Sequence, residues 1–276
     1  QQNVKFLESD CYQNVRPEIL QLPGCAAPPE CRFDLITANP PFVPTPETLS
    51  LCRGGGISGE EVTEKIVRGL PDMLSQSGIF SMITNVPVFA NQTFFERCER
   101  WLDSSESWGV VVLSNHKWTP ASYTLAHQSP VSFENYGSHF QLWLDAYESV
   151  QLEAVTNSQV YIFRSPHAWR IERNFVYAYD CASPFIESWI ASLRAFQTDP
   201  ASHYRLHPGL EKIWWLEGRT RVYLQWKQDY QWWQPQGVWL EGPAAQAVQD
   251  LEQRPGDRCD PLALSPLLSA HLVTLV

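Results

Sequence analysis

Phe33-Asp34-Leu35-Ile36-Thr37-Ala38-Asn39-Pro40-Pro41-Phe42 is the stretch whose reading decides the fold of this chain. The first six residues are mainly apolar and suit a buried strand. The prolines end it, because Pro lacks the N–H that a ladder needs. Open α/β sheets bind ligands outside the carboxyl ends of their strands. Asn39 would bring a side-chain carbonyl acceptor to that edge. Pro40 keeps its C=O and biases Asn39 toward extended backbone. The ring of Phe42 can cover a flat group. Two acceptors aimed at one NH2 group would fix its orientation. The same four residues would also make a plain rigid loop, so their surroundings matter.

The surroundings alternate strand and helix. Strands are expected near 3–8, 33–38, 79–84, 108–113 and 159–164, and helices near 59–76, 89–103 and 138–150. Val62, Ile66, Leu70 and Leu74 recur at helical spacing. Phe89, Phe94, Cys98, Trp101 and Leu102 mark the second helix more loosely. Such alternation means a mainly parallel sheet. The stretch 114–137 reads as a long loop, where binding residues concentrate. Its His116, Lys117 and Tyr123 are candidates for a substrate channel, or ordinary loop residues.

Several of these pieces resemble a known family in its own order. Asn3 to Asp10 reads as a strand ending in an acidic residue. The Asn39-Pro40-Pro41-Phe42 motif follows. Gly54-Gly55-Gly56-Ile57-Ser58-Gly59-Glu60 then leads into a helix, which ends at Ser77-Gly78 before the strand Ile79 to Thr84. Together they resemble the later part of a class I S-adenosylmethionine-dependent methyltransferase. The nearest group includes the protein-glutamine N5, adenine-N6 and guanine-N2 enzymes. The last two strands fit that fold's reversed final hairpin. The resemblance implies S-adenosyl-L-methionine as cofactor and a planar amide or exocyclic amine as methyl acceptor, on a protein glutamine or an RNA or DNA base. It implies substrate and catalytic roles for Asn39, Pro40, Pro41 and Phe42. It implies cofactor contacts for Asn39 and, near the adenine, for Asp10. The family's glycine-rich cofactor loop should precede Asn3. Gly54-Gly55-Gly56 does not replace it, since it follows the motif and no strand leads into it. The expectation is an N-terminally truncated domain that binds its cofactor weakly or not at all.

Composition narrows the class. The chain has 276 residues, 44% of them apolar, enough for a real core in one or two domains. No run approaches the length of a membrane helix, and no signal peptide is visible at Gln1. Seven scattered cysteines with no Cys-x-x-Cys pair read as cytoplasmic thiols rather than disulfides or zinc ligands. The net charge of −10 is concentrated before residue 165 and leaves no visible basic face for duplex DNA. Oligomeric state is not legible.

A domain boundary is expected near Ser165-Pro166, dividing a methyltransferase part (1–165) from a smaller α+β accessory domain (166–276). Phe175 to Tyr179 reads as a strand and Ser183-Pro184 as a helix start. Trp214, Trp215, Trp226, Trp232, Trp233 and Trp239 crowd residues 211–240. There Val222, Leu224 and Trp226 alternate with polar residues, which suits an antiparallel meander. Interleaved Arg219, Arg221 and Lys227 would let these rings stack nucleic-acid bases, although cross-strand core packing uses the same residues. Two other functions stay open. One is a non-catalytic methyltransferase fold kept as a binding module. The other is a tryptophan-rich C-terminal binding domain for protein or nucleic acid.

Overall fold

The computed structural model describes residues 6–15, 32–47, 52–103, 106–174, 182–198, 204–216, 221–227, 237–256 and 260–275. They fall into two compact units, Gln1–Arg164 and Ser165–Val276.

The first unit is built on strands β1 (Phe33–Ala38), β2 (Leu74–Phe89), β3 (Trp108–Trp118) and β4 (Leu152–Arg164). Within it the order is β1-β2-β4-β3. β1 pairs parallel to β2, and β4 runs antiparallel between β2 and β3, so the sheet is mixed where alternation alone suggested a mainly parallel one: β1, β2 and β3 share one direction and β4 opposes them. The expected reversed hairpin is therefore present. The strand expected at 3–8 falls partly outside the described residues. Residues 1–5 lie outside the described residues, and residues 6–9 carry no ladder. Asn14 instead ties this segment into a turn, taking Ser9 Oγ with its backbone N–H and Glu8 O with its side chain. β1 is also less buried than its apolar run suggests. Ile36 and Ala38 face the core, while Leu35 on the opposite face is 63% exposed.

Helix α1 (Glu61–Met73) buries Thr63, Val67 and Leu70. Of the expected Val62-Ile66-Leu70-Leu74 stripe, Leu70 is fully buried in the helix, Val62 and Ile66 are half-buried, and Leu74 is buried in β2. The helix stops at Met73, just past Pro71, rather than at Ser77-Gly78. β2 begins at once with Leu74. Residues 75–78 stand opposite Asp34 alone, because Phe33 pairs with Leu74 and Leu35 with Ile79. Ser75 donates to the Asp34 carboxylate at 2.7 Å. A Cβ at Gly78 would lie 2.7 Å from Phe33 O. Ser-Gly therefore shapes an irregular strand entry and not a helix end. Helix α2 (Phe94–Leu102) starts at a capping box, in which Thr93 and Glu96 satisfy each other's backbone N–H groups. Phe89 belongs to β2, so the expected start at 89 was early. Val67, Leu70, Phe80, Met82, Cys98 and Ile162 are among the residues of the core between this helix pair and the sheet.

The expected long loop at 114–137 is largely regular. β3 runs to Trp118, helix α3 spans Pro120–His127, and a 3₁₀ turn at Phe133–Asn135 leads into helix α4 (Tyr136–Ser149). Thr119 caps α3 by accepting from Ser122 N, with Pro120 in its first turn. Pro120 and Ser122, two of the His, Pro, Ser and Tyr residues whose density suggested a loop, belong to this capped first turn.

The second unit contains β5 (Arg170–Asn174), helix α5 (Ala182–Thr198), β6 (Tyr204–Leu206), β7 (Leu210–Leu216), β8 (Arg221–Trp226), β9 (Val238–Glu241), helices α6 (Gly242–Gln253) and α7 (Pro261–Ser269), and β10 (Val273–Leu275). β7, β8 and β9 form the antiparallel meander. Val222, Leu224 and Trp226 are fully buried. Trp226 is thus core, whereas Trp239 is 48% exposed. The strand expected at 175–179, together with Trp232 and Trp233, lies outside the described residues. The apolar tail is packed: Leu264, Leu267, Leu268, Leu272 and Val273 are buried.

Candidate functional site

Asn39 follows β1 directly and is exposed, at the carboxyl edge of a parallel strand pair. Its side chain has no hydrogen bond to any described residue. Pro40 is buried, and Pro41 and Phe42 are half-buried. Phe42 packs beside the cluster of Tyr123, Trp143 and Tyr147. The four residues are contiguous, and the loop that continues from them is held on three sides.

The first support is the glycine segment. Val43 pairs parallel with Gly54. Val43 N–H donates to Arg53 O at 2.9 Å, Gly55 N–H to Val43 O at 3.0 Å, and Thr45 N–H to Gly56 O at 2.9 Å. Gly59 adopts φ +79°, and a Cβ there would lie 2.8 Å from Pro44 Cγ and 3.0 Å from Phe42 O. Only glycine combines that backbone with such close approach. The segment therefore braces the motif loop. The second support is α4: Tyr147 Oη donates to Pro44 O at 2.9 Å. Burial raises the Tyr147 phenol well above its ordinary value, so it stays a donor. The third is Glu47, which accepts from Ser129 at 3.0 Å and pairs with His139 of α4. Asn39 is left as the exposed head of a well-tied loop.

A buried ion pair stands behind the brace. Glu60, next to Gly59, meets Arg97 of α2 at 2.8 and 3.0 Å. Arg97 also donates to Pro87 O at 2.7 Å and Gln92 O at 3.0 Å. Burial pushes the Glu60 carboxyl up to about 7, against the pull of Arg97. Sequence reading missed this pair, because residues 37 positions apart meet only in the fold. The one available signal was Arg97 on the apolar face of α2, beside Phe94, Cys98 and Trp101.

The remaining candidates divide. Tyr123 is fully buried, accepts from Asn85 Nδ2 at 2.7 Å and stacks on His127 at 4.0 Å. It is packing, not channel wall. His116 and Lys117 are exposed at the end of β3, opposite Asn157 and Thr156. Asp10 is exposed at a turn and reaches Lys65 of α1 at 3.5 Å. Its neighbour Tyr12 packs against Gly69 of the same helix. The contacts of this turn go to α1, not to the Asn39 loop. Among the described residues no cluster of His, Cys, Asp and Glu could hold a metal. No described helix is long and apolar enough to cross a membrane.

No protein-family model matches the chain. Over 87 residues it is 29% identical to a protein of Methanocaldococcus jannaschii described as a "putative protein N5-glutamine methyltransferase". That similarity supports kinship with the methyltransferases. It covers 29% of this chain, and the chain spans only 37% of the relative's length. The mixed sheet, with β4 reversed between β2 and β3, fits a Rossmann-like methyltransferase domain.

Proposed function

We propose that the protein is an S-adenosylmethionine-dependent N-methyltransferase whose acceptor is the side-chain amide of a protein glutamine. The observation that carries this is the exposed Asn39 amide, without a described hydrogen-bond partner, at the head of a loop tied down by Val43, Pro44, Thr45 and Glu47. The name of the archaeal relative favours glutamine among planar nitrogens.

In this reading Asn39 Oδ1 and the Pro40 carbonyl accept the two N–H groups of the acceptor amide. Those bonds strengthen as the nitrogen becomes positive, so they stabilise the transition state more than the bound substrate. Holding both hydrogens also fixes the plane of the amide, which aligns its weak lone pair. The half-buried Phe42 ring, backed by the Tyr123–Trp143–Tyr147 cluster, forms an apolar wall that keeps water from that nitrogen. S-adenosylmethionine supplies an electrophilic methyl group when bound. Asn39 and Asp10 are the residues assigned to hold it, Asp10 near its adenine. The adenine amine of this sulfonium cofactor suits a carboxylate or an amide acceptor, although the described contacts of the Asp10 turn run to α1 and not to the Asn39 loop. No protein base is required, because the product sheds its proton after transfer.

A nucleobase acceptor is the second reading. Trp239 is half exposed, lies 4.9 Å from Tyr223 and has Arg221 5.5 Å from its ring, a set suited to stacking. One experiment separates the two. The protein is incubated with methyl-labelled S-adenosylmethionine and either a glutamine-bearing protein or RNA. Label is expected in glutamine, and Asn39→Ala should lower turnover about 100-fold, the usual effect of removing one transition-state hydrogen bond. Label in RNA alone would establish the second reading. Absence of label from both, with cofactor binding demonstrated by calorimetry, would refute methyl transfer to these acceptors.

A further inference from the structure

We infer that the Glu60–Arg97 ion pair positions the Asn39–Phe42 loop through the Gly54–Gly59 turn; this rests on the methyl-transfer reading only for its catalytic consequence. Glu60 begins α1, yet its side chain makes no helix cap. It points inward, 5% exposed, to Arg97, which is 4% exposed. One guanidinium there joins the end of β2 through Pro87 O, the turn through Gln92 O, helix α2, and Glu60. It lies 4.7 Å from the Phe89 ring and 5.5 Å from that of Phe94. One hydrogen bond, Arg97 Nη2 to Glu60 Oε1, and a second close approach of Nε to Oε2 at 2.8 Å hold the two charges together.

The chain then carries that direction outward. Glu61 N–H donates to Gly55 O and Gly59 N–H to Gly56 O, each at 3.1 Å, which closes the turn. Gly59 touches Pro44 and Phe42 O, and Gly55 and Gly56 hold the backbone of Val43 and Thr45. A shift at Glu60 therefore reaches the carbonyl of Phe42 through packed backbone, with no flexible side chain between them. Well-packed apolar residues often serve stability as well as a buried ion pair does, so stability alone explains this pair poorly. Geometry at the loop explains it.

Protonation should release the pair. The charged groups around Glu60 are Arg97, Arg100 and Glu64, with the buried Cys98 thiol and the exposed Glu99 next along α2. Burial raises the carboxyl to about 7 despite Arg97. Its ionised form, which grips Arg97 best, is then favoured above about pH 7 and lost below it. The sign for global stability is opposite. A carboxyl raised above its ordinary 4.5 stabilises the fold when protonated, and that contribution disappears as pH rises through about 7. Loop order and global stability thus move in opposite directions.

The test is hydrogen exchange by NMR on the segment amides of Val43, Thr45, Gly55 and Gly59, corrected for intrinsic rates, in wild type, Glu60→Gln and Arg97→Lys. In wild type, protection of this segment should fall about tenfold between about pH 8 and pH 6. Glu60→Gln should show the lower protection at both values while melting no lower than wild type at pH 8. Arg97→Lys, which loses the fork, should resemble it. Protection that is unchanged by pH in wild type, or loss of protection only in step with global unfolding, would overturn the inference. Both results stand whether or not methyl transfer is found. If it is, Glu60→Gln should lower kcat more than it raises KM, while Asn39→Ala tests the methyl-transfer reading separately.

Discussion

Lowering the pH from about 7 to about 5 should destabilise the second unit, through two buried histidines. His207 is 7% exposed and His271 fully buried, with ring centroids 4.8 Å apart. Phe185, Trp189 and Trp226 surround them at 4.2 to 5.6 Å. Gly209 N–H donates to His207 Nδ1 at 2.9 Å, so that nitrogen carries no proton. Burial, then Arg205 and Lys227, pushes His207 down to about 4. Burial, then His207, pushes His271 well down too. Both rings are neutral in the fold, whereas the unfolded chain protonates near 6.5. The unfolded state therefore takes up protons first. The stability is fully present above about 6.5 and is lost as pH falls toward about 4. At pH 5 the His207 shift alone amounts to about 2 kcal/mol, at about 1.4 kcal/mol per pH unit. Urea unfolding at the two pH values, followed by tryptophan fluorescence, reads this directly. His207→Asn keeps an acceptor for Gly209 and removes the titration, so its stability should vary with pH by about 2 kcal/mol less than wild type. An identical pH dependence in both proteins would refute the reasoning.

Other outcomes follow from the same packing. Gly59→Ala should lower stability by about 1–3 kcal/mol, since it forces a side chain into φ +79° and against Phe42 O; a melting curve checks it. Tyr147→Phe strands the buried Pro44 carbonyl and should cost about 1–2 kcal/mol by urea unfolding, with faster exchange at Thr45. Thr93→Ala removes half of the capping box of α2 and should cost about 1 kcal/mol by the same measurement. Asn39→Ala, at an exposed position with no described partner, should leave the melting temperature within the small range of surface substitutions while abolishing most turnover.

Much of the fold was readable without coordinates, for local reasons. Apolar runs marked β1 and the later half of β4, alternation at period two marked β8, and the aromatic face of α2 marked its helix. Pro40-Pro41 ended β1 where no ladder bond can form, so the motif's place after a strand was legible too. Local signals also misled where two structures share one vocabulary. Thr119-Pro120 looked like loop and is a helix cap. Ser77-Gly78 looked like a helix end and is a strand irregularity, because only the register of β1 shows that Asp34 faces four residues.

The sequence by itself determined the strand-then-motif unit, the alternation that orders the sheet, and the aromatic meander of the second unit, because each rests on near-neighbour geometry. Only the tertiary structure decided that the glycine run braces the motif, that Tyr147 and Glu47 tie its loop down, that Tyr123 is core, and that Glu60 finds Arg97. Those contacts join residues far apart in the chain, and burial, which sets their charge states and their strength, exists only once the chain has closed around them.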